Sequence, residues 1–267
     1  MFNDEQKLFQ KLAPQLQRVL VVEPQPAAVK LLQELLRTIS QGQVVTASTD
    51  AKAMVAVQSM DPQIIFVEYA GPGMDGLRVA KAIRRSELNC RKVPIIMVTA
   101  EATAQAILGA RDAGVHEFLR KPYTMKDLLR RLEAVVLKQR DWVEAVQYIG
   151  PDRRRFNSGE YAGPRKRKTD EPATPDKARV LQALKIVRAA AGSLDSDWMQ
   201  ARRALAAQAH DLQQAGAAVG DLRLVEAAGA MAQHLPPEGE PDKSALRRAI
   251  LALLEFMPKD DAAPRAA

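Results

Sequence analysis

The chain has 267 residues, enough for one large domain or two ordinary ones, and its 47% hydrophobic content supports buried cores. A single cysteine, Cys90, excludes an internal disulfide, and no Cys/His spacing of metal-binding type occurs. The net charge of +7 is concentrated: seven basic residues and two acids fall between Pro151 and Lys168, which points to an anionic partner for one segment and not to a nucleic-acid-binding fold throughout.

Aromatic content is only 4%, while Ala and Leu abound, a balance that suits helix-rich packing. No apolar run reaches the roughly 18 residues that would read as a membrane-spanning helix. The opening MFNDEQKLFQKLAPQLQ carries acids where a signal peptide has an apolar centre. These features lead to the expectation of a cytoplasmic protein without membrane insertion.

Residues 1–17 are taken as an N-terminal extension. From Arg18 to Arg140 strand and helix patterns alternate. Val19–Val22 is an apolar run ending at Glu23-Pro24, and Ala27–Ile39 carries Val29, Leu32, Leu35, Leu36 and Ile39 at helical spacing. Gln43–Ala47 predicts a second strand and Asp50–Met60 its helix. Ile64–Val67 predicts a third strand, ending at Glu68, with a helix over Gly76–Ser86. Val93–Thr99 and Val115–Leu119 complete the strands, with helices over 102–113 and Met125–Leu137. Apolar strands without alternation imply burial on both faces, as in a parallel sheet between helices. The expected fold is a five-stranded doubly wound parallel α/β domain, flavodoxin-like, whose site lies beyond the strands' C-terminal ends.

Residues 141–176 are expected to be a basic linker containing Gly and Pro, without hydrophobic period. Residues 177–258 are Ala- and Leu-rich, and breakers at Gly192, at Gly216 and Gly220, at Pro236-Pro237 and at Pro241 predict a four-helix bundle. A short tail, 259–267, follows.

Residues 18–140 resemble a response-regulator receiver domain: LVVEP ends strand one, FVEYAGPGMDG follows strand three, MVTAE follows strand four and FLRKP closes strand five. In that family acids after strand one bind Mg²⁺ and an aspartate after strand three accepts a phosphoryl group. A Thr or Ser and a Lys hold the phosphoryl oxygens. The resemblance maps Thr99 and Lys121 onto those last two roles and Phe118 onto the aromatic switch. Glu23 stands at the first acidic position, Pro24 at the second, and Glu68 at the phosphoacceptor.

Proline removes an oxygen ligand from a hard cation. Glu carries its carboxylate roughly an ångström beyond Asp, and displacement of that order can cost about 10²-fold in transfer. The two departures together predict a pseudo-receiver with weak or absent Mg²⁺ binding and no resident cofactor, acting by contact with other proteins. Two roles stay open for Glu68: a carboxylate that reaches Lys121 and Thr99 and imitates the phosphorylated state, or a remnant ion-pair partner of Lys121.

Around His210 runs AHDLQQAGAAVGDLRLVEAA. At 100° per residue His210 stands about 140–160° from Leu205 and Leu212, so it is expected on the solvent side, with Ala206 and Ala207 one turn earlier. The segment resembles a histidine phosphotransfer (HPt) domain, with Gln213 where that motif has Lys and Gln214 where it has Gly. Relay through His210, docking alone, and a plain interaction bundle all remain open. His116 and His234 have no motif and are expected to be exposed or capping.

In the basic stretch, Arg153, Arg154 and Arg155, and Arg165, Lys166, Arg167 and Lys168, are candidate anion-binding residues. The ligands left open are cyclic di-GMP or another nucleotide, nucleic acid, an acidic protein surface, or solvent alone. The implied partners are histidine kinases and response regulators of a bacterial two-component system. The chain reads as a non-enzymatic adaptor, with self-association open.

Overall fold

A computed structural model describes residues 2–101, 103–138, 140–153, 175–236 and 241–258. The chain divides into two compact units, Met1–Val143 with Tyr148–Gly159, and Glu144–Gln147 with Glu160–Ala267.

The first unit begins with helix α1 (Phe2–Leu12) and a 3₁₀ turn (Ala13–Leu16). Strand–helix pairs follow: β1 (Arg18–Val22) and α2 (Pro26–Ile39), then β2 (Gln43–Ala47) and α3 (Asp50–Met60). β3 (Ile64–Glu68) leads through a two-residue ladder, β4 (Ala70–Gly71) with β5 (Met74–Asp75), into α4 (Gly76–Arg85). β6 (Ile95–Thr99), α5 (Ala104–Asp112), β7 (Glu117–Arg120) and α6 (Met125–Val136) complete the pattern. The large sheet is parallel, in the order β2-β1-β3-β6-β7.

Strand periodicity builds a core on each face, because successive side chains point to opposite sides. Val19, Val21, Ile64, Phe66, Ile96 and Val98 face α2 and α6, where they meet Leu32, Leu36, Leu128 and Leu132. Leu20, Val22, Ile65, Val67, Ile95 and Met97 face α3 and α4, where they meet Val57, Val79 and Ile83. The doubly wound fold is as expected, with element ends differing by one or two residues. Capping sets several of those ends: Thr49 accepts from the Lys52 N–H, Asp75 from Arg78, and Thr124 and Asp127 form a reciprocal capping box.

Residues 1–17 are more than an extension. Leu12 and Leu16 are fully buried in the α2/α6-side core, with Leu8 and Phe9 packed beside them. Their spacing, Leu8, Leu12 and Leu16, is a helical one.

The expected linker also begins later than residue 141. Trp142–Glu144 (β8) and Ile149–Pro151 (β9) pair as a short ladder. Tyr148 and Ile149 are buried, because Trp142, Val143, Tyr148 and Ile149 supply apolar surface that a free linker lacks. Residues 154–174 lie outside the described residues, and with them the candidate anion-binding Arg154, Arg155, Arg165, Lys166, Arg167 and Lys168. The tail 259–267 also lies outside them.

Arg84 at the end of α4 is 1% exposed and meets no carboxylate among the described residues. Its Nε donates to the Gly114 carbonyl (2.9 Å), its Nη1 to those of Arg91 (2.6 Å) and Val93 (3.0 Å). Nη2 lies 3.1 Å from His116 Nδ1, and the guanidinium sits 5.3 Å from the Trp142 ring centroid. Burial depresses this arginine to about 9. His116 is therefore neither exposed nor capping. Its Nδ1 also accepts from the Ile95 N–H (3.3 Å), and burial, then Arg84 and Arg140, push the imidazole well below its usual range.

The second unit holds α7 (Pro175–Ala191), α8 (Trp198–Val219), α9 (Leu222–Gln233) and α10 (Lys243–Leu254). α7 packs on α8 and α10, and α9 on α8 and α10, which closes a four-helix bundle. Leu184, Val187, Leu205, Leu212, Leu224, Met231, Leu246, Ile250 and Leu253 are buried in it. Gln200 and Gln208 are buried on α8, where Gln200 donates to Glu144 Oε1 (3.3 Å) and Gln208 to the Glu144 carbonyl (3.4 Å).

Gly220 ends α8 in the left-handed conformation, φ +75°. Gly216, expected to break the helix, lies within α8. A Cβ there would stand 3.0 Å from Val225 Cγ2, so this glycine serves the close approach of α9. His234 follows α9 as its C-cap, as one of its two expected roles.

Arg84→Met removes the donor for three carbonyls while keeping most of the stem. It is expected to lower the first unit's stability by about 2–4 kcal/mol in urea denaturation, since orphaned buried acceptors outweigh relief of a buried charge. An unchanged midpoint would show that the carbonyls find other donors.

Candidate functional site at the strand ends

The parallel strands deliver Glu23, Glu68, Thr99 and Lys121 to one edge of the sheet, at the C-terminal ends of β1, β3, β6 and β7. All four come together as the sequence implied. Lys121 is the centre. Its Nζ donates to Glu23 Oε2 at 2.6 Å and makes a very short contact with Glu68 Oε2. Both carboxylates are buried, at 7% and 8% exposure, so this ion triad is screened little by solvent.

The remaining oxygens are engaged by backbone. The Gln25 N–H donates to Glu23 Oε1 (2.9 Å), and the Tyr69 N–H donates to Glu68 Oε1 (2.8 Å). Glu68 therefore reaches Lys121. Thr99 Oγ1 instead accepts from the Glu101 N–H (3.0 Å). The Lys121 N–H donates to the Thr99 carbonyl (2.7 Å), which ties the ends of β6 and β7 together.

The loop after β3 folds tightly over the site. At Gly76 a Cβ would stand 2.0 Å from the Glu68 carbonyl oxygen, so only glycine allows this approach. A Cβ at Gly71 would stand 2.7 Å from Pro24 Cγ, so the Pro24 ring packs against the loop where the family places an acid. The gap beneath the carboxylates, lined by Val22, Leu32, Phe66 and Tyr123, is only about 10 Å³, scarcely one water. Phe118 is half-buried against the α3/α4-side core.

Burial pushes the Glu68 carboxyl above its ordinary 4.5. Lys121 pulls it only part of the way back, and the Glu23 charge adds to the rise. Lys121 is itself desolvated, yet its hydrogen bonds to Glu23 and Glu68 outweigh that cost and hold it above the usual 10.5. One ammonium thus serves two acids. Tyr123, which carries no motif in the sequence, is also raised by its burial beside them.

On α8 of the second unit His210 is exposed, as its angular position implied. Gln214, one turn on, brings its Nε2 within 2.9 Å of His210 Nε2. With the amide as donor, that ring nitrogen is the unprotonated one. Gln213 points elsewhere, its Nε2 close to Gly229 of α9. Ala206 is exposed, and Asp211 pairs with Arg179 at 2.9 Å. Arg153, the one described member of the basic cluster, is 2.6 Å from Asp112 and 4.1 Å from the Tyr148 ring centroid.

A doubly wound parallel sheet with acids, a hydroxyl and a lysine at the C-terminal strand ends defines the receiver class of signalling domain. The family comparison agrees: residues 19–133 match the response regulator receiver domain, and this segment is one. The DNA-binding response regulator MtrA of Mycolicibacterium smegmatis is 29% identical over 135 residues, covering 50% of this chain and 57% of that protein. The chemotaxis protein CheY of Pseudomonas aeruginosa is 27% identical over 118 residues, covering 44% of this chain and 94% of that one. Among solved structures, the receiver domain of the sensor histidine kinase PA1611 of Pseudomonas aeruginosa matches at 27% identity and a TM-score of 0.42. That match covers 46% of this chain and 98% of the other. The chain thus spans little more than half the length of the DNA-binding relative it matches. Among the described residues no helix is long and apolar enough to cross a membrane.

Because Glu68 titrates above 4.5 in the folded protein, folding takes up a proton in the interval just above that value. Stability therefore rises as pH falls through it, and declines as pH rises. Glu68→Gln removes this dependence. The stability of the wild type relative to Glu68→Gln, from urea titrations between neutrality and about pH 4.5, is expected to grow toward acid. A difference that stays flat contradicts the raised carboxyl.

Proposed function

We propose that this protein is a two-component signalling adaptor whose receiver domain is a pseudo-receiver, holding one shape without phosphorylation and acting by contact with histidine kinases or response regulators. The observation that carries this reading is the sharing of Lys121 between Glu23 and Glu68. Phosphoryl transfer in a receiver needs a free lysine for the incoming oxygens and a cation to neutralise charge. Here the lysine is engaged by the two carboxylates that would otherwise serve those ends.

The donor set does not fit a hard divalent cation. The ammonium stands between the carboxylates, the Pro24 ring stands at the second acidic position, and the remaining carboxylate oxygens accept from backbone N–H groups. The Glu68–Lys121 bond supplies the contact that an acquired phosphoryl group would otherwise make with the lysine, so the domain's output is set by sequence and not by a kinase. In this role the domain carries out no catalysis of its own.

Exposure of His210 on a bundle helix favours a second role, phosphoryl relay through the HPt-like unit. Gln214 tempers it, because its amide sits on one ring nitrogen of that histidine. The alternative effector role, an Arg-rich segment binding cyclic di-GMP or nucleic acid, finds Arg153 already held by Asp112 and Tyr148.

Incubation with acetyl phosphate and Mg²⁺ is expected to add no phosphoryl group to Glu68, by intact mass. Glu68→Asp alone should behave the same, and the pair Pro24→Asp with Glu68→Asp should gain phosphorylation. Recovery from the single change would sink the requirement for both. For the relay, a phosphorylated receiver should label the wild type and not His210→Ala. Equal labelling of both, or of neither, removes His210 as a carrier.

A further inference from the structure

Beside the strand-end site, and apart from the role proposed for it, a second concavity of about 330 Å³ opens between β7 and α6. Its wall holds Arg120, Lys121, Arg130 and Arg131 against one acid, Asp127. Lys121 is engaged by Glu23 and Glu68, and Arg131 Nη1 donates to Glu117 (3.0 Å). Arg120 is exposed and has no ion pair among the described residues. Arg130 reaches Asp127 only at 3.9 Å. Asp127 is itself turned onto Thr124, accepting from its N–H (3.0 Å) and hydroxyl (2.7 Å).

Arg131 Nε is buried and has no hydrogen-bond acceptor among the described residues. A buried donor without an acceptor carries a desolvation cost, which leaves this guanidinium incompletely satisfied. Two outward guanidinium groups and one incompletely satisfied one therefore border the same hollow, and the only acid on its wall is occupied. Guanidinium forks match the oxygens of phosphate in pairs, which a single carboxylate between three arginines does not exploit as fully.

We propose that the hollow between β7 and α6 is a binding site for a small phosphorylated ligand, held by Arg120 and Arg130 with Arg131 at its base. The volume accommodates more than one phosphate, so a diphosphate is the natural minimal probe. Glu117 belongs to the site's support: it holds Arg131 and also pairs with Arg140, so it orients the base without entering the hollow.

The test is calorimetric titration of the full chain with inorganic pyrophosphate, in metal-free buffer at matched ionic strength, with acetate as the carboxylate control. Wild type is expected to bind pyrophosphate, with acetate at least about tenfold weaker. Arg120→Gln and Arg130→Gln, both surface changes outside the Glu–Lys triad, should each weaken binding about tenfold or more while leaving the urea midpoint unchanged. No binding by wild type, equal binding of acetate, or full affinity in both variants each overturns the proposal. The last outcome would place the anion on the basic segment after Pro151 instead.

Discussion

The receiver unit depends on one ammonium held between two buried carboxylates. Glu23, Glu68 and Lys121 arrive from three separate strand ends, and none would be tolerated buried alone, since an uncompensated charge there costs several kcal/mol. Their combination still carries an excess negative charge. Burial is the main reason Glu68 sits above its ordinary pKa even with a cation on it, with the Glu23 charge adding to the rise, while hydrogen bonds to both acids hold Lys121 above its own against its desolvation. The backbone N–H groups of Gln25 and Tyr69 spread the remaining charge into the loops that follow β1 and β3.

This geometry connects chemistry to signalling. The pseudo-receiver role proposed for this domain rests on how that edge is filled. Here the longer Glu68 side chain reaches the lysine directly, Pro24 packs on Gly71, and the space beneath is too small for more than a water. The β7–α6 hollow in the first unit opens beside that edge, and His210 of α8 is exposed in the second.

Much of this was legible in the sequence because it rests on local periodicity and on motifs at strand ends. Continuous apolar runs at residues 19–22, 64–67 and 95–98 announced strands buried on both faces, and Leu205 with Leu212 placed His210 on the opposite side of its helix. The misses have physical causes. Gly216 reads as a breaker, but glycine also serves close helix approach, and only the position of Val225 separates the two. His116 carried no motif because its partners, Arg84 and Trp142, lie 32 and 26 residues away along the chain. Tyr148 and Ile149 were grouped with a linker because two short strands leave too weak a pattern beside Gly and Pro.

The sequence by itself determined the doubly wound α/β pattern and the identity of the residues at each strand end, Pro24 among them. These follow from side-chain chemistry at fixed spacing. The tertiary structure alone decided where the Glu68 carboxylate goes. From the sequence it could reach Lys121 and Thr99 together or Lys121 alone; in the fold it takes Lys121, while Thr99 turns to the Glu101 N–H. The reason is that hydrogen-bond choice among several polar groups depends on distances between strand ends, and those are set by sheet register and not by any run of residues.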